Sequence, residues 1–163
     1  MLNVATRPVT SIATVELGPT INTTIPPFTV RDHAGNPQHI NDLLGEKGLL
    51  LGFTGNIWNP TNARRIIWAQ RHAHHINRTG VNMALLSCDK PDLLYGFHIS
   101  MSPPPEFPLL SDLDGQIHDL FNMAKYPGMV LLDRSRTIRH KWLVPDDRVW
   151  PKIQDILDTA ESL

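Results

Sequence analysis

The chain has 163 residues, enough for one domain with a full hydrophobic core. Its 15 lysine and arginine residues against 16 aspartate and glutamate residues give a formal net charge of −1, so no basic excess attracts nucleic acid or an anionic membrane. A single cysteine excludes an internal disulfide, a cysteine-based zinc finger and a CxxC dithiol within the chain.

The sequence shows no pattern that is typical of membrane insertion or secretion. No run approaches the roughly 20 apolar residues that a membrane-spanning helix needs. The N-terminus lacks the basic and apolar regions of a secretory signal, and a lone thiol is typical of a reducing compartment. We therefore expect a cytoplasmic protein with no membrane insertion and no nucleic-acid partner.

The first 25 residues are interrupted by prolines and a glycine. They predict an extended N-terminal arm, 1–25, ahead of a single domain, 26–163. Phe28–Asp32 and Gln38–Ile40 flank a turn cluster and predict a β-hairpin. Asn41–Gly45 predicts one capped helical turn that ends in glycine.

The middle of the chain alternates apolar runs with helical segments. Asn59 is a preferred N-cap residue and Pro60 suits the first helical position, so a well-marked helix begins here and continues to about Arg78. Further along, the sequence predicts two buried strands, Gly48–Thr54 and Val81–Ser87, a helix, Lys90–Ser100, and a proline loop, Ser102–Glu106.

The last third of the chain predicts three strands and two helices. The strands are Phe107–Asp112, Met129–Asp133 and Thr137–Trp142, and the helices are Gln116–Met123 and Trp150–Leu163. Parallel units followed by an antiparallel pair imply an α/β fold in which helices cover both faces of a mixed central sheet.

Four strings in this order resemble one known group of proteins. They are Pro27–Gly35, Phe53–Asn62, Phe107–Gly115 and Tyr126–Asp133. Together they make the chain similar to the thioredoxin-like fold, in its redoxin branch of alkyl hydroperoxide reductase and thiol-specific antioxidant proteins, the peroxiredoxin relatives. The resemblance implies a thioredoxin-like domain with an N-terminal β-hairpin extension.

The chain departs from this family at the positions that carry its chemistry. Where the family has Trp-Cys-Pro-x-Cys or a single peroxidatic cysteine, this chain has Trp58, Asn59, Pro60 and Asn62. Asn56 occupies the family's threonine or serine position, and the family's later arginine has no clear counterpart. A helix N-terminus activates a cysteine by stabilising its thiolate, whereas asparagine offers no nucleophile there and can only cap the helix. We therefore expect no catalytic residue among these positions.

Cys88 follows the predicted buried strand Val81–Ser87, at the sheet edge where α/β proteins usually bind ligands. It is either a relocated thiol that cycles through sulfenic acid or a small buried side chain that fills the core. The second interpretation is the commoner one for a free cysteine.

The histidines of His72–His75 are the weak candidates for a metal site. His72 and His75 share one helix face, away from the predicted core face. A structural zinc site needs four ligands, and no cysteine or acidic cluster lies nearby in sequence. We therefore expect no metal and no cofactor.

At Pro127 the resemblance implies a cis Tyr126–Pro127 bond and a surviving groove between Trp58 and Pro127. The leading hypothesis is a non-catalytic module that uses this groove to bind or assemble with a protein partner, with a homodimer as an option. The alternative is a weak thiol oxidoreductase, a peroxiredoxin-like antioxidant acting through Cys88.

Overall fold

The computed structural model describes residues 17–144 and 150–163. Residues 1–16 of the predicted arm lie outside this part. The described residues form the strands β1 (Thr29–Asp32), β2 (Pro37–His39), β3 (Gly48–Gly55), β4 (Val81–Ser87), β5 (Leu109–Ser111), β6 (Gly128–Asp133) and β7 (Ile138–Leu143). The helices are α1 (Ile40–Leu43), α2 (Pro60–Asn77), α3 (Pro91–Ser100), α4 (Gln116–Leu120) and α5 (Ile153–Glu161).

One mixed sheet contains all seven described strands, in the order β2-β1-β5-β4-β3-β6-β7. The pairs β3–β4 and β4–β5 are parallel, whereas β1–β2, β1–β5, β3–β6 and β6–β7 are antiparallel. The mixed sheet and the N-terminal hairpin are therefore confirmed.

Alternate residues of the central strands supply two separate hydrophobic cores. Leu50 faces a core that includes Ile66 of α2 and Ile156 of α5, while Leu49 and Leu51 face a core that includes Ile40 of α1. This alternation follows from the two-residue repeat of a strand. Helices consequently cover both faces, as the sequence predicts.

The short helices differ in length from their predictions. Helix α1 begins at Ile40 rather than Asn41, because Nδ1 of His39 accepts the N–H of Asn41 and caps it at 3.1 Å. Helix α4 ends at Leu120, since Asn122 has a left-handed φ of 55°. Helix α5 begins at Ile153, later than Trp150, after an N-cap at Lys152.

The described end of the predicted arm bonds to the outer strand β7. Asn22 donates to the carbonyl of Ile138 at 2.7 Å, and the N–H of Ile138 donates to Thr23 at 2.9 Å. Thr24 and Thr137 form an isolated antiparallel bridge. These contacts cover part of an otherwise open sheet edge. No helix among the described residues has the length and apolar character to cross a membrane.

Candidate functional site

Asn59 is the N-cap of α2, as predicted. Its side-chain oxygen accepts the N–H of Thr61 at 2.9 Å, and Pro60 is the first helical residue. The start of α2 is therefore a conventional capped terminus with a neutral side chain at the position where the resembling family has its thiol.

Asn62, on the first turn of α2, links a loop to a buried cation. Its side-chain nitrogen donates to the carbonyl of Asn56 at 2.7 Å, and its oxygen accepts from the guanidinium of Arg65. Arg65 is only 2% exposed and lies 5.6 Å from the ring of Trp150, whose Nε1 donates to the carbonyl of Arg65 at 2.8 Å. The second family cysteine position is therefore occupied by a structural amide.

A polar cavity of about 160 Å³ lies beside the start of α2. Asn59, Asn62 and Pro127 line it together with Arg65 and His118. The arginine of this cavity thus comes from α2 rather than from a later strand. The structure brings these family positions together without any thiol among them.

The prediction of a cis Tyr126–Pro127 bond is wrong. The described residues contain one cis peptide bond, Ser102–Pro103, so the Tyr126–Pro127 bond is trans. Trans is the favoured isomer of an X–Pro bond. The chain enters β6 in this form, and the carbonyl of Pro127 accepts the N–H of Val144 at 3.1 Å.

Trp58 lies apart from this cavity. Its side chain is 74% exposed and lines a surface groove with Cys88 and Leu93, whereas Pro127 lines the polar cavity. The expected single groove between Trp58 and Pro127 is not present. In the loop after β3, the N–H of Ile57, the residue before Trp58, donates to the carboxylate of Asp89 at 2.8 Å.

Cys88 and Asp112 come together because they follow neighbouring parallel strands. Ser87 ends β4, Ser111 ends β5, and the two residues are paired in register. The N–H of Asp112 donates to the carbonyl of Ser87 at 2.7 Å, and the N–H of Cys88 donates to Gly55 at 2.7 Å. The next residue of each strand therefore lies at the same edge of the sheet.

Asp112 positions the imidazole of His118. Its two carboxylate oxygens accept the backbone N–H groups of Ile117 and His118, at 3.0 and 2.7 Å, at the start of α4. The same carboxylate contacts Nδ1 of His118 at 2.7 Å. Both side chains are buried, with Asp112 4% and His118 3% exposed.

The sulfur of Cys88 lies against this imidazole. Sγ is 3.7 Å from Nδ1 and 4.0 Å from Nε2, and the thiol is half-buried. The sulfur therefore lies beside the ring rather than in line with one nitrogen. His118 separates Cys88 from the polar cavity, since it lines that cavity and Cys88 lines the Trp58 side.

His118 favours its protonated form. Burial lowers the pKa of His118, but hydrogen bonds and charge at Asp112 and Cys88 outweigh it and raise that pKa to about 9. The N–H of Gly55 points at Nε2 at 3.3 Å, which favours a neutral ring. The negative charge of Asp112, 2.7 Å from Nδ1, favours the imidazolium more than the N–H of Gly55, 3.3 Å from Nε2, disfavours it.

Cys88, Asp112 and His118 form a group of metal-ligating side chains within the described residues. Their hydrogen bonds argue against a metal ion. Nδ1 of His118 is bonded to Asp112, Nε2 faces the N–H of Gly55, and both oxygens of Asp112 accept backbone N–H groups. A cation would have to displace these bonds before binding, so we assign no metal to this cluster.

The two histidines singled out as weak metal candidates lie on the face of α2 shared with Trp68. The rings of His72 and Trp68 are 4.6 Å apart, and those of His72 and His75 are 6.3 Å apart. Burial, then the charges of neighbouring histidines and Arg71, lower the pKa of His72. Within the described part of the chain no third ligand joins them in a metal-binding group.

Comparison with solved structures shows the type of fold. At TM-score 0.76 and 17% identity, the chain matches the peroxidoxin BcpB of Mycobacterium tuberculosis over 89% of this chain and 98% of that one. A mitochondrial 2-Cys peroxiredoxin from Plasmodium falciparum matches at TM-score 0.75 and 17% identity, over 88% and 93% of the two chains. A yeast mitochondrial 1-Cys peroxiredoxin matches at TM-score 0.75 and 15% identity, over 85% and 73%. The fold is thioredoxin-like, of the peroxiredoxin type.

The family follows from the sequence. Residues 21–141 match the model of the AhpC/TSA family. The chain belongs to the AhpC/TSA family, as its four strings indicate. A search of the curated proteins gave no match.

Proposed function

We propose that this chain is a thiol oxidoreductase whose reactive group is Cys88, at the end of β4, rather than a residue at the start of α2. The contact between Cys88 and the buried His118–Asp112 pair carries this proposal: Sγ is 3.7 Å from Nδ1, which is itself 2.7 Å from the carboxylate. The start of α2 supports it, because Asn59 and Asn62 there make structural hydrogen bonds.

The chemistry follows from the charges around the sulfur. A cation beside a sulfur stabilises the negative charge that the sulfur carries when it acts as a nucleophile or a leaving group. Asp112 does not contact the sulfur within hydrogen-bonding distance, and it acts as a positioning residue that holds the ring in place and favours its proton. The edge at the carboxyl ends of parallel strands is also where α/β folds place ligands.

The test uses the single thiol of the chain as its own reporter. We expect wild-type Cys88 to react with iodoacetamide at neutral pH about ten-fold faster or more than the His118→Gln variant. The alkylation rate of the Asp112→Asn variant is expected to lie between those of wild type and His118→Gln, and its dependence on pH is expected to be shifted. Circular dichroism and a melting curve check that each variant is folded, and Cys88→Ser sets the background.

Two results would overturn the proposal. One is an alkylation rate of the wild type that is no higher than the rate of an unstructured cysteine peptide. This comparison does not depend on whether any variant folds. The other is an identical rate and pH profile in wild type and a folded His118→Gln variant.

A second candidate function is a non-catalytic module that binds or assembles with a protein partner. The exposure of Trp58, 74%, favours it, because exposed tryptophans are enriched among the residues that dominate protein interfaces. Under this function, Cys88→Ser would leave partner binding unchanged and Trp58→Ala would abolish it.

A further inference from the structure

A continuous surface groove leads away from Cys88. Its first part, about 520 Å³, is lined by Cys88, Trp58, Leu93 and Leu113 together with the rim residues Asp89, Lys90 and Asp92. A second part, about 320 Å³, extends along α3 to Gly96 and Phe97. The two parts share Trp58, Asp92 and Leu93, so they form one depression, the Trp58 groove, with the thiol at one end.

The groove is apolar where an occupant would lie. Trp58 and Leu113 are 74% and 50% exposed, and Leu93 and Phe97 are half-buried against the core. The exposed charges of the rim are one basic residue, Lys90, and one acidic residue, Asp92, whereas Asp89 is buried, so the rim has no net preference for a charged ligand. Such a surface suits apolar side chains of a peptide rather than a small polar molecule.

The polar cavity is on the other side of His118, and Cys88 does not line it. The N–H of Cys88 donates to the carbonyl of Gly55 at 2.7 Å, so this amide does not point at a ligand beside the sulfur. A peroxide needs polar donors around its two oxygens, whereas a disulfide carried on an apolar segment needs mainly contact area. The surroundings of the sulfur therefore fit a peptide disulfide better than a peroxide.

The chain has one cysteine, so any disulfide that Cys88 forms joins it to another molecule. We propose that Cys88 exchanges with a disulfide in a protein segment whose apolar residues, next to the cysteine, lie in the Trp58 groove. This inference rests on the proposed thiol function and names its substrate class.

The step is a balanced exchange. The Cys88 thiolate attacks one sulfur of the partner disulfide, a bond forms between them, and the partner's sulfur–sulfur bond breaks. The leaving partner thiolate takes up a proton from His118 or water. The product is one mixed disulfide and one partner thiol, so Cys88 is oxidised and the partner sulfur that leaves is reduced. A second thiol of the partner reverses the step by attacking the mixed disulfide.

The groove can be filled without touching the thiol. Gly96 lies within α3, and a Cβ at this position would meet no atom within 4 Å. Leucine is also a better helix former than glycine, so Gly96→Leu is expected to fold. Tyr95→Ala is the matched control, because Tyr95 is a 49% exposed aromatic residue of the same helix that does not line the groove.

The experiment compares two probes at neutral pH by mass spectrometry of the mixed disulfide. One is a disulfide of a short peptide with leucine and phenylalanine on both sides of cysteine, and the other is glutathione disulfide. We expect wild type to favour the apolar peptide by about ten-fold, the effect of burying roughly one large apolar side chain. Trp58→Ala and Gly96→Leu should each bring the ratio of the two rates close to one, and Tyr95→Ala should keep the wild-type ratio.

Equal rates with the two probes in wild type would overturn the inference. So would a ratio unchanged in both groove variants. In either case a fast reaction with glutathione disulfide that His118→Gln slows would leave the proposed thiol function standing, so the two failures are distinguishable.

Discussion

The side chain of Asn62 accepts a hydrogen bond from the buried guanidinium of Arg65 and donates to the carbonyl of Asn56 at 2.7 Å. One amide therefore ties the loop after β3 to a cation in the core. A cysteine at this position offers a single sulfur that is only a weak donor and a weak acceptor, so it could not replace both bonds. The asparagine that replaces the family's second cysteine is thus part of a hydrogen-bond network that requires an amide.

We predict that Asn62→Ala lowers the free energy of unfolding by about 2 to 3 kcal/mol, because it leaves the carbonyl of Asn56 and one bond of the buried Arg65 without their partner. Urea denaturation measures the change. Asn59→Ala is the matched control on the same turn, and loss of its cap should cost about 1 kcal/mol. Equal, small effects of both substitutions would contradict the network.

A thiol returned to the start of α2 should be activated. In a Cys88→Ser background, we expect Asn59→Cys to give a thiol with a pKa below the free value of about 8.5, since the N–H groups of the helix stabilise its thiolate. The pH dependence of alkylation measures this. Adding Asn62→Cys should permit a disulfide one helical turn away, at the further stability cost predicted for the loss of Asn62. A titration at or above about 8.5 would show that this terminus does not act as the family's does.

The His118–Asp112 pair should make stability depend on pH in a defined window. Because the pKa of His118 is raised from 6.5 to about 9, its contribution is fully present below pH 6.5 and is lost as the pH rises through about 9. This shift of the His118 pKa corresponds to a contribution of at most about 3 kcal/mol to the free energy of unfolding. The pKa of Asp112 is lowered from 3.8: burial raises it, but hydrogen bonds from His118 and Ile117 outweigh burial, so the contribution of Asp112 is lost only as the pH falls below 3.8.

The measurement is the free energy of unfolding of wild type and His118→Gln between pH 4 and 10, as a difference profile. We expect the advantage of wild type to be largest between about pH 4 and 6.5. A difference that stays constant across the alkaline range would contradict the charged pair.

Asp89 should hold the loop that presents Trp58. It is buried, accepts the N–H of Ile57 at 2.8 Å and accepts the hydroxyl of Ser87. We predict that Asp89→Ala lowers the free energy of unfolding by about 1 to 3 kcal/mol and reduces the preference of Cys88 for the apolar peptide disulfide. Asp92→Ala, at the groove rim without these bonds, is the control for charge alone. An unchanged preference in a folded Asp89→Ala variant would show that Trp58 is placed by other contacts.

Local sequence signals predicted the central strands and the long helix well. The bounds of β4 coincide with the predicted strand Val81–Ser87, and Asn59 caps α2 as predicted. Both features are determined by residues that are close together in the sequence. The isomer at Tyr126–Pro127 could not be predicted in this way, since it was carried over from the family. The predicted helix through Met123 was too long because apolar spacing does not reveal the left-handed turn at Asn122.

Cys88 is a candidate site residue from the sequence alone, whereas Asp112 and His118 are recognised only in the structure. A signal for Asp112 was present, because it is the last residue of the predicted strand Phe107–Asp112 and neighbouring parallel strands end at the same edge of the sheet. His118 gave no such signal. Its ring reaches the sulfur only because Asp112 fixes the first turn of α4, a tertiary arrangement that composition and periodicity do not encode.

The place of β3 in the sheet has a consequence for how the chain folds. Its neighbour β4 follows after one helix, but its other edge pairs with β6, where Phe53 lies opposite Gly128. Strand β3 can therefore pair on both edges only after most of the chain has been synthesised, and contacts of this separation slow folding. Until β6 emerges from the ribosome, the apolar strand β3 has one unpaired edge, which makes the nascent chain vulnerable to aggregation at that stage.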